Sequence, residues 1–189
     1  MMAVFEAIKS IYLDDHASTV AFGTTSKPLP QTYEHLQMRC SVRTRKETYN
    51  QTEGLRITPQ GSNTGNCTVS LLYHLNADNH NYWNDTPTSS LILYYVASKG
   101  QSDSYSYSTM VVDFMDYANA NKGLQISQYG CAPTIGGDAN VSDDNRMWLG
   151  SSSRDGTFAL TKFTLEAYPS GEPITRGSAF HLYGWNSSN

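Results

Sequence analysis

Apolar and polar residues alternate most regularly between His35 and Thr44. One phase of this segment is apolar and holds Leu36, Met38, Cys40 and Val42. The other phase is polar and holds His35, Gln37, Arg39, Ser41 and Arg43. Successive side chains of a strand leave opposite faces, so this alternation predicts a strand with one face in the core. We expect Gln37, Arg39 and Ser41 in solvent, and Cys40 as a small core residue rather than a reactive thiol.

Similar but noisier patterns recur along the chain, and the segments between them are rich in Gly, Asn, Ser, Asp and Pro. The further predicted strands are Val4–Leu13, Thr19–Gly23, Glu53–Thr58, Thr68–Leu75, Leu91–Ala97, Ser108–Phe114, Leu124–Tyr129, Arg146–Gly150, Thr157–Ala167 and Ser178–Trp185. A helical turn is predicted at Asp116–Asn121, and no segment sustains the 3.6-residue period of a longer helix. The sequence therefore predicts one all-β domain over residues 1–189, an antiparallel two-sheet β-sandwich that is jelly-roll-like.

Charged residues are scarce, at 16% of the chain against about 25% in ordinary soluble domains. The net charge of −4 offers no electrostatic attraction to nucleic acid or to anionic lipid. No apolar run approaches the roughly 20 residues of a membrane helix, and the first ten residues lack the pattern of a signal peptide. We expect a soluble product of a cytoplasm, with a neutral surface that binds through hydrogen bonds and apolar contacts.

Metal and disulfide chemistry have few candidates. The three cysteines, Cys40, Cys67 and Cys131, have no spacing typical of a disulfide framework or a zinc site. His74 and His80, with Asp78 and Asp85 nearby, could bind zinc, but two solvated loop histidines are the favoured interpretation. The oxygen-rich loop from Asp138 to Asn145, which contains Asn140, Asp143 and Asp144, is a calcium candidate without EF-hand spacing, and a solvated loop is favoured. His35 and His181 are interpreted as rim contacts.

Catalytic motifs are absent from the sequence: it contains no nucleophile elbow, no zincin motif and no phosphate loop. Glycosidase chemistry needs two carboxylates that meet in space. The carboxylates near predicted strands are Glu34, Glu53, Asp113 and Asp116, and nothing singles out a pair. We therefore predict no enzymatic activity, no cofactor and no catalytic or metal-binding residue.

Tyrosine and tryptophan are abundant, with 13 and 3 copies, which is typical of interfaces and of platforms that bind sugar rings. The most suggestive aromatic residues are Tyr82, Trp83, Tyr94, Tyr95, Tyr105 and Tyr107. Tyr105 and Tyr107 lie on the same face of an extended segment. Packing in the core or along the sheet edges is an equally good interpretation of these rings.

Several blocks of the sequence resemble, in the same order, small β-sandwich virion structural proteins of aquatic tailed bacteriophages. The blocks are residues 17–22, Pro30–Arg39, Asn79–Trp83, Val112–Lys122, Trp148 with Ser151 and Ser152, Phe163–Leu165, and Gly177–Gly184. The block Pro30–Arg39 contains a Thr-Tyr-x-His-Leu-Gln strand, and the block Val112–Lys122 contains a hydrophobic-Asp-hydrophobic-x-Asp-Tyr-Ala element. The block Gly177–Gly184 ends in Leu-Tyr-Gly. The longer charged loop Arg43–Glu53, with the basic pair Arg45 and Lys46, departs from the family pattern.

The resemblance implies a non-enzymatic virion component. Our favoured expectation is a capsid decoration or cement protein that binds the major capsid protein as a homotrimer and stabilises the shell. The alternative is a tail or fibre module that binds host-surface glycans through exposed Tyr and Trp. A polysaccharide-degrading enzyme on the same fold is a third and weaker alternative, because a fold does not determine a function.

Overall fold

The computed structural model describes residues 5–47, 53–59, 67–76, 79–88, 91–94, 96–98, 106–132 and 146–187, with the backbone alone for 73–76, 79–88 and 146. These residues form strands and turns without a helix, so none of them builds a helix with the length and apolarity of a membrane span. The strands are β1 (Glu6–Tyr12), β2 (Val20–Phe22), β3 (His35–Thr44), β4 (Gly54–Pro59), β5 (Cys67–Asn76), β6 (Asn79–Thr88), β7 (Leu91–Tyr94), β8 (Ala97–Ser98), β9 (Ser108–Met115), β10 (Gln125–Ala132), β11 (Arg146–Arg154), β12 (Phe163–Tyr168) and β13 (Ala179–Trp185).

The strands form two sheets. The larger sheet has the order β1-β13-β3-β9-β10-β11-β5-β6, and the smaller one has the order β2-β12-β4-β7. All pairings between these strands are antiparallel, and the short β8 adds two parallel residue pairs at the end of β3. The predicted all-β, antiparallel two-sheet sandwich is confirmed, whereas this strand order does not confirm the jelly-roll connections.

The core lies between the sheets and contains side chains from both of them. Three aromatic rings cross it in sequence: Phe22 stacks on Phe163 at 5.1 Å between ring centroids, and Phe163 contacts Phe114 at the same distance. Phe22 and Phe163 belong to the smaller sheet and Phe114 to the larger one. All three are buried, so these rings tie the sheets together at the centre of the sandwich.

Strand β3 begins and ends at the predicted residues, and its four apolar side chains are buried. Arg39 is exposed, as expected for the polar phase, whereas Ser41 is only half-exposed. The prediction for Gln37 is wrong, because this residue is only 9% exposed. Its amide nitrogen donates to Asp113 Oδ1 at 2.8 Å, and its carbonyl oxygen accepts from Arg39 Nε at 2.7 Å. Gln37 is therefore a buried polar side chain on the outer face of the sheet, hydrogen-bonded to β9 and to its own strand.

Other predicted elements differ from the observed ones. A strand is defined by its backbone hydrogen bonds to a neighbouring strand, and these do not always coincide with a pattern of alternating residues. Strand β6 was not predicted, because its Asn-rich sequence lacks alternation and reads as a turn. The predicted strand Thr157–Ala167 is only β12, since the backbone at Leu160 donates to the Tyr117 carbonyl instead of joining a sheet. The predicted helical turn at Asp116–Asn121 is a pair of hydrogen-bonded turns, in which Asn119 N–H donates to the Asp116 carbonyl.

Candidate functional site

Four large apolar side chains of the neighbouring strands β10, β11 and β5 project into solvent from the outer face of the larger sheet. Met147 is 66% exposed, Leu149 58%, Leu72 55% and Tyr129 49%. The backbone register places Tyr129 opposite Leu149 and Leu149 opposite Leu72, so these three form a row across β10, β11 and β5. We call these four residues the apolar patch. Contiguous exposed apolar side chains on a soluble domain are typical of interaction sites.

A cleft of about 540 Å³ adjoins the apolar patch. Tyr129 and Met147 line it together with Val111, Cys131, Arg39 and His181. Arg39 lies over the rings of Tyr183 and Phe5, with its guanidinium carbon 5.4 Å and 5.9 Å from the ring centroids. The outer face therefore combines an apolar cleft with the Arg39 guanidinium at its rim.

Neutral polar side chains occupy the outer face on the other side of the apolar row. They lie in two rows, Ser127, Ser151 and Ser70, and then Gln125, Ser153 and Thr68. These six residues line a depression of about 350 Å³, with Met115 at its border, and we call them the hydroxyl groove. The outer face is thus divided into an apolar half and a hydroxyl half that share the same strands.

A second cluster brings together three residues considered in the sequence analysis: Glu34, His35 and Asp116. Their potential ligand atoms lie within 4.8 Å of one another. His35 is only 5% exposed, so its interpretation as a rim contact is wrong: its ring packs at 4.3 Å from that of Trp185. Lys122 forms a salt bridge with Asp116, and the Ser187 N–H donates to Glu34 at 2.9 Å.

The hydrogen bonds of His35 oppose a metal site in this cluster. Nδ1 accepts the backbone N–H of Asp116 at 3.0 Å, so the single proton of a neutral imidazole lies on Nε2, which faces Glu34 Oε1 at 3.4 Å. A histidine ligand normally donates its other ring N–H to an acceptor. In His35 a metal would have to bind Nε2, and the other nitrogen, Nδ1, accepts a hydrogen bond instead of donating one. We therefore describe Glu34, His35 and Asp116 as a clamp, a set of hydrogen-bonded residues that joins β3, the turn after β9 and the segment after β13.

The same cluster is unsuited to glycosidase chemistry. Hydrogen bonding from Ser187 lowers the pKa of Glu34, and hydrogen bonding from Lys122 lowers the pKa of Asp116. A glycosidase pair needs one carboxyl whose pKa is raised so that it can donate a proton. Neither member of this pair supplies such an acid. Of the other two carboxylates considered, Asp113 accepts from Gln37, and Glu53 lies in a separate region.

Glu53 is a buried carboxylate, 1% exposed, that precedes β4. Its Oε1 accepts from the Ser170 hydroxyl at 2.6 Å, and its Oε2 lies 3.7 Å from Lys46 Nζ. Burial raises the pKa of Glu53 despite these partners. Lys46, which the sequence suggested as part of a basic contact for a partner, is therefore held by a buried acid.

The Glu53→Gln variant should become more stable relative to the wild type as the pH rises. The raised pKa means that the folded state holds the Glu53 proton more tightly than the unfolded state does. This contribution is fully present below the ordinary value of 4.5 and is lost as the pH rises through the folded-state pKa. Melting temperatures of both proteins between acidic and neutral pH measure the difference, and a difference that does not change with pH would contradict the prediction.

The remaining candidates are dispersed. Tyr94 is buried in the core at 7% exposure, the Tyr107 hydroxyl donates to the Arg176 carbonyl, and His181 bonds Ser10. His74 and His80 are directly paired across β5 and β6. For these histidines, and for Tyr82, Trp83 and Asp85, only the backbone is described. Asp78, Tyr95, Tyr105 and the loop Asp138–Asn145 lie outside the described residues.

All three cysteines are free thiols, with Cys40 and Cys67 buried and Cys131 exposed. Desolvation raises the pKa of both buried thiols, which makes them poor nucleophiles at neutral pH. The interpretation of Cys40 as a core residue is confirmed. Cys131 lies on the outer face and contacts the Thr109 hydroxyl at 3.1 Å.

The sequence analysis missed the apolar patch. Its signal was the unbroken apolar run Met147-Trp148-Leu149 and the pair Leu71-Leu72. In a strand, adjacent apolar residues must point to opposite faces, and one of them must leave the core. Trp148 and Leu71 are the buried members, at 4% and 1% exposure, which leaves their neighbours in solvent.

Comparison with known protein families, with curated proteins and with solved structures finds no match to this chain.

Proposed function

We propose that this protein is a non-enzymatic structural component of a bacteriophage particle, and that it works as a capsid decoration or cement protein. The observation that carries the proposal is the apolar patch, because large apolar side chains exposed together on one sheet face are typical of a surface that binds a partner. The resemblance of the sequence to phage virion proteins supplies the kind of partner. The lowered pKa values of Glu34 and Asp116 leave that pair without the proton donor that a glycosidase needs.

The proposed contact joins the apolar patch to the major capsid protein, with copies of the chain grouped as a homotrimer on the shell. Burial of the apolar patch supplies the affinity of each contact, and the low charge of the chain limits the contribution of salt bridges. Each contact alone is weak. Repetition over many shell positions adds the contacts to a large total stabilisation.

Particles that lack the protein should assemble and then break open at a lower temperature than complete particles. A protein that binds only the intact shell stabilises that state by mass action at every occupied site. Thermal release of the genome from both kinds of particle measures the effect. Quantitative mass spectrometry should find the protein in hundreds of copies per particle, as a repeated shell contact requires; about a dozen copies would place it in the tail.

Adding back variants to the deficient particles tests the contact surface. Leu149→Asp should no longer restore thermal resistance, whereas Tyr12→Asp should restore it. The two residues are similarly exposed, at 58% and 65%, and only Leu149 belongs to the patch. If Leu149→Asp restores resistance as the wild type does, the patch is not the shell contact.

A tail or fibre module that binds host-surface glycans is the second proposed function. The observation that favours it is the arrangement of Tyr129 and Leu149 beside the hydroxyl groove, since sugars present both apolar faces and hydroxyl edges. Deficient particles that remain heat-resistant but no longer adsorb to the host would favour this function over the cement function.

A further inference from the structure

The hydroxyl groove differs from the core of a protein interface in composition. Interface cores are depleted in Ser and enriched in aromatic residues and Met. The two rows of the groove contain four serines, one threonine and one glutamine, and their backbone register aligns them across β10, β11 and β5. Each hydroxyl can donate one hydrogen bond and accept others. A ligand that is rich in hydroxyl groups can likewise donate and accept hydrogen bonds along its whole length.

The charge around the groove argues against an anionic ligand. None of the described residues that line it is charged. The carboxylate residue Asp113 lies opposite Ser127 at the β9 end of the first row. Arg39 lies farther along the outer face, where Gln37 accepts its Nε–H. An anionic polymer in the groove would be repelled by the Asp113 carboxylate at one end, and neither row of the groove contains a cation to offset this repulsion.

The apolar row supplies the other half of the site. Tyr129 and Leu149 lie two residues along their strands from Ser127 and Ser151, a step of about 6.6 Å at 3.3 Å per residue. Equivalent positions on neighbouring strands repeat about every 4.8 Å. A pyranose ring that packs its C–H face on the Tyr129 ring can therefore direct its hydroxyl edge toward Ser127 and Ser151.

We propose that the outer face of the larger sheet binds a neutral polysaccharide, whose chain runs across strands β10, β11 and β5 along the boundary between the apolar row and the hydroxyl groove. The inference rests on the second proposed function, and it names the class of glycan and the residues. Tyr129 is the platform for one sugar ring. Ser127, Ser151 and Ser70 hydrogen-bond the hydroxyl groups of successive rings.

Affinity electrophoresis of the purified full chain tests this proposal, with neutral dextran and laminarin or anionic alginate included in the gel. We expect neutral polymers to retard the wild type and alginate not to do so. Tyr129→Ala and the double variant Ser127→Ala with Ser151→Ala should each weaken retardation about tenfold. Tyr12→Ala is the matched control, because Tyr12 is an exposed tyrosine of edge strand β1 that belongs neither to the apolar patch nor to the hydroxyl groove, and it should behave as the wild type does. Melting temperatures confirm that all variants are folded.

Each result has a distinct meaning. Equal or stronger retardation by alginate overturns the neutral class and leaves a glycan-binding function in place. Retardation that survives Tyr129→Ala and the double serine variant overturns the assignment of the site. If none of the three polymers nor a panel of other neutral polysaccharides retards the wild type, the inference and the glycan function fail together, and the particle experiments decide the cement function independently.

Discussion

Met38→Asp is expected to abolish folding. Met38 is fully buried in the middle of β3, where β13 and β9 flank it and place Leu182 and Val112 opposite it. An aspartate there would lose the apolar contacts of the methionine and bury a carboxylate beside apolar neighbours. The two effects together cost on the order of 5 kcal/mol or more, which is comparable to the whole stability of a typical domain, about 5–15 kcal/mol. Circular dichroism and the soluble yield measure the outcome.

Met38→Leu is the matched control for this prediction. It conserves volume and apolarity, and such core exchanges cost less than about 1.5 kcal/mol. We expect it to fold with a melting temperature close to that of the wild type. A cooperative, near-native melting transition for Met38→Asp would show that β3 does not lie in the core in the register described above.

Phe114→Ala should leave the protein folded but much less stable. Phe114 is fully buried and contacts Phe163 of the opposite sheet, so its removal opens a cavity where the sheets meet. Phe→Ala in a core costs about 3–5 kcal/mol. In a chain of this length each kcal/mol lowers the melting temperature by about 2–4 °C, so we expect a decrease of about 10 °C.

A double-mutant cycle separates the contact from simple loss of volume. Phe114 and Phe163 should couple by about 0.5–1.5 kcal/mol beyond the sum of their individual burial. Phe114 and Tyr12 serve as the control pair, since Tyr12 is a solvent-exposed residue of edge strand β1 and should show no coupling. Equal coupling in both pairs would indicate that the rings do not form the described contact between the sheets.

The burial of Gln37 could not be predicted from the residue pattern of its own strand. Alternation assigns this residue to the outer face, and the structure places it there. Its burial, however, comes from Asp113 and Arg39, which reach it from β9 and from two positions along β3. Gln37→Asp, which alternation alone treats as a harmless surface change, would place a carboxylate against Asp113. We therefore expect it to destabilise the protein.

The sequence by itself determined the fold class, the core phase of β3 and the extent of most strands. These properties follow from local alternation, and the period of two is a property of each strand alone. It also determined that the chain has little charge with which to attract a partner. Such features need no knowledge of which strands are neighbours.

Only the tertiary structure decided which outward-facing residues meet. Tyr129, Leu149 and Leu72 come from three strands far apart in the sequence, and sheet order and register bring them into one row. The same holds for the hydroxyl groove and for the clamp of Glu34, His35 and Asp116. Pairing between distant strands depends on hydrogen bonding along the whole sheet, which no single segment encodes. The surface that we propose for function therefore depends on the register between strands, whereas the core depends on the alternation of apolar and polar residues within each strand.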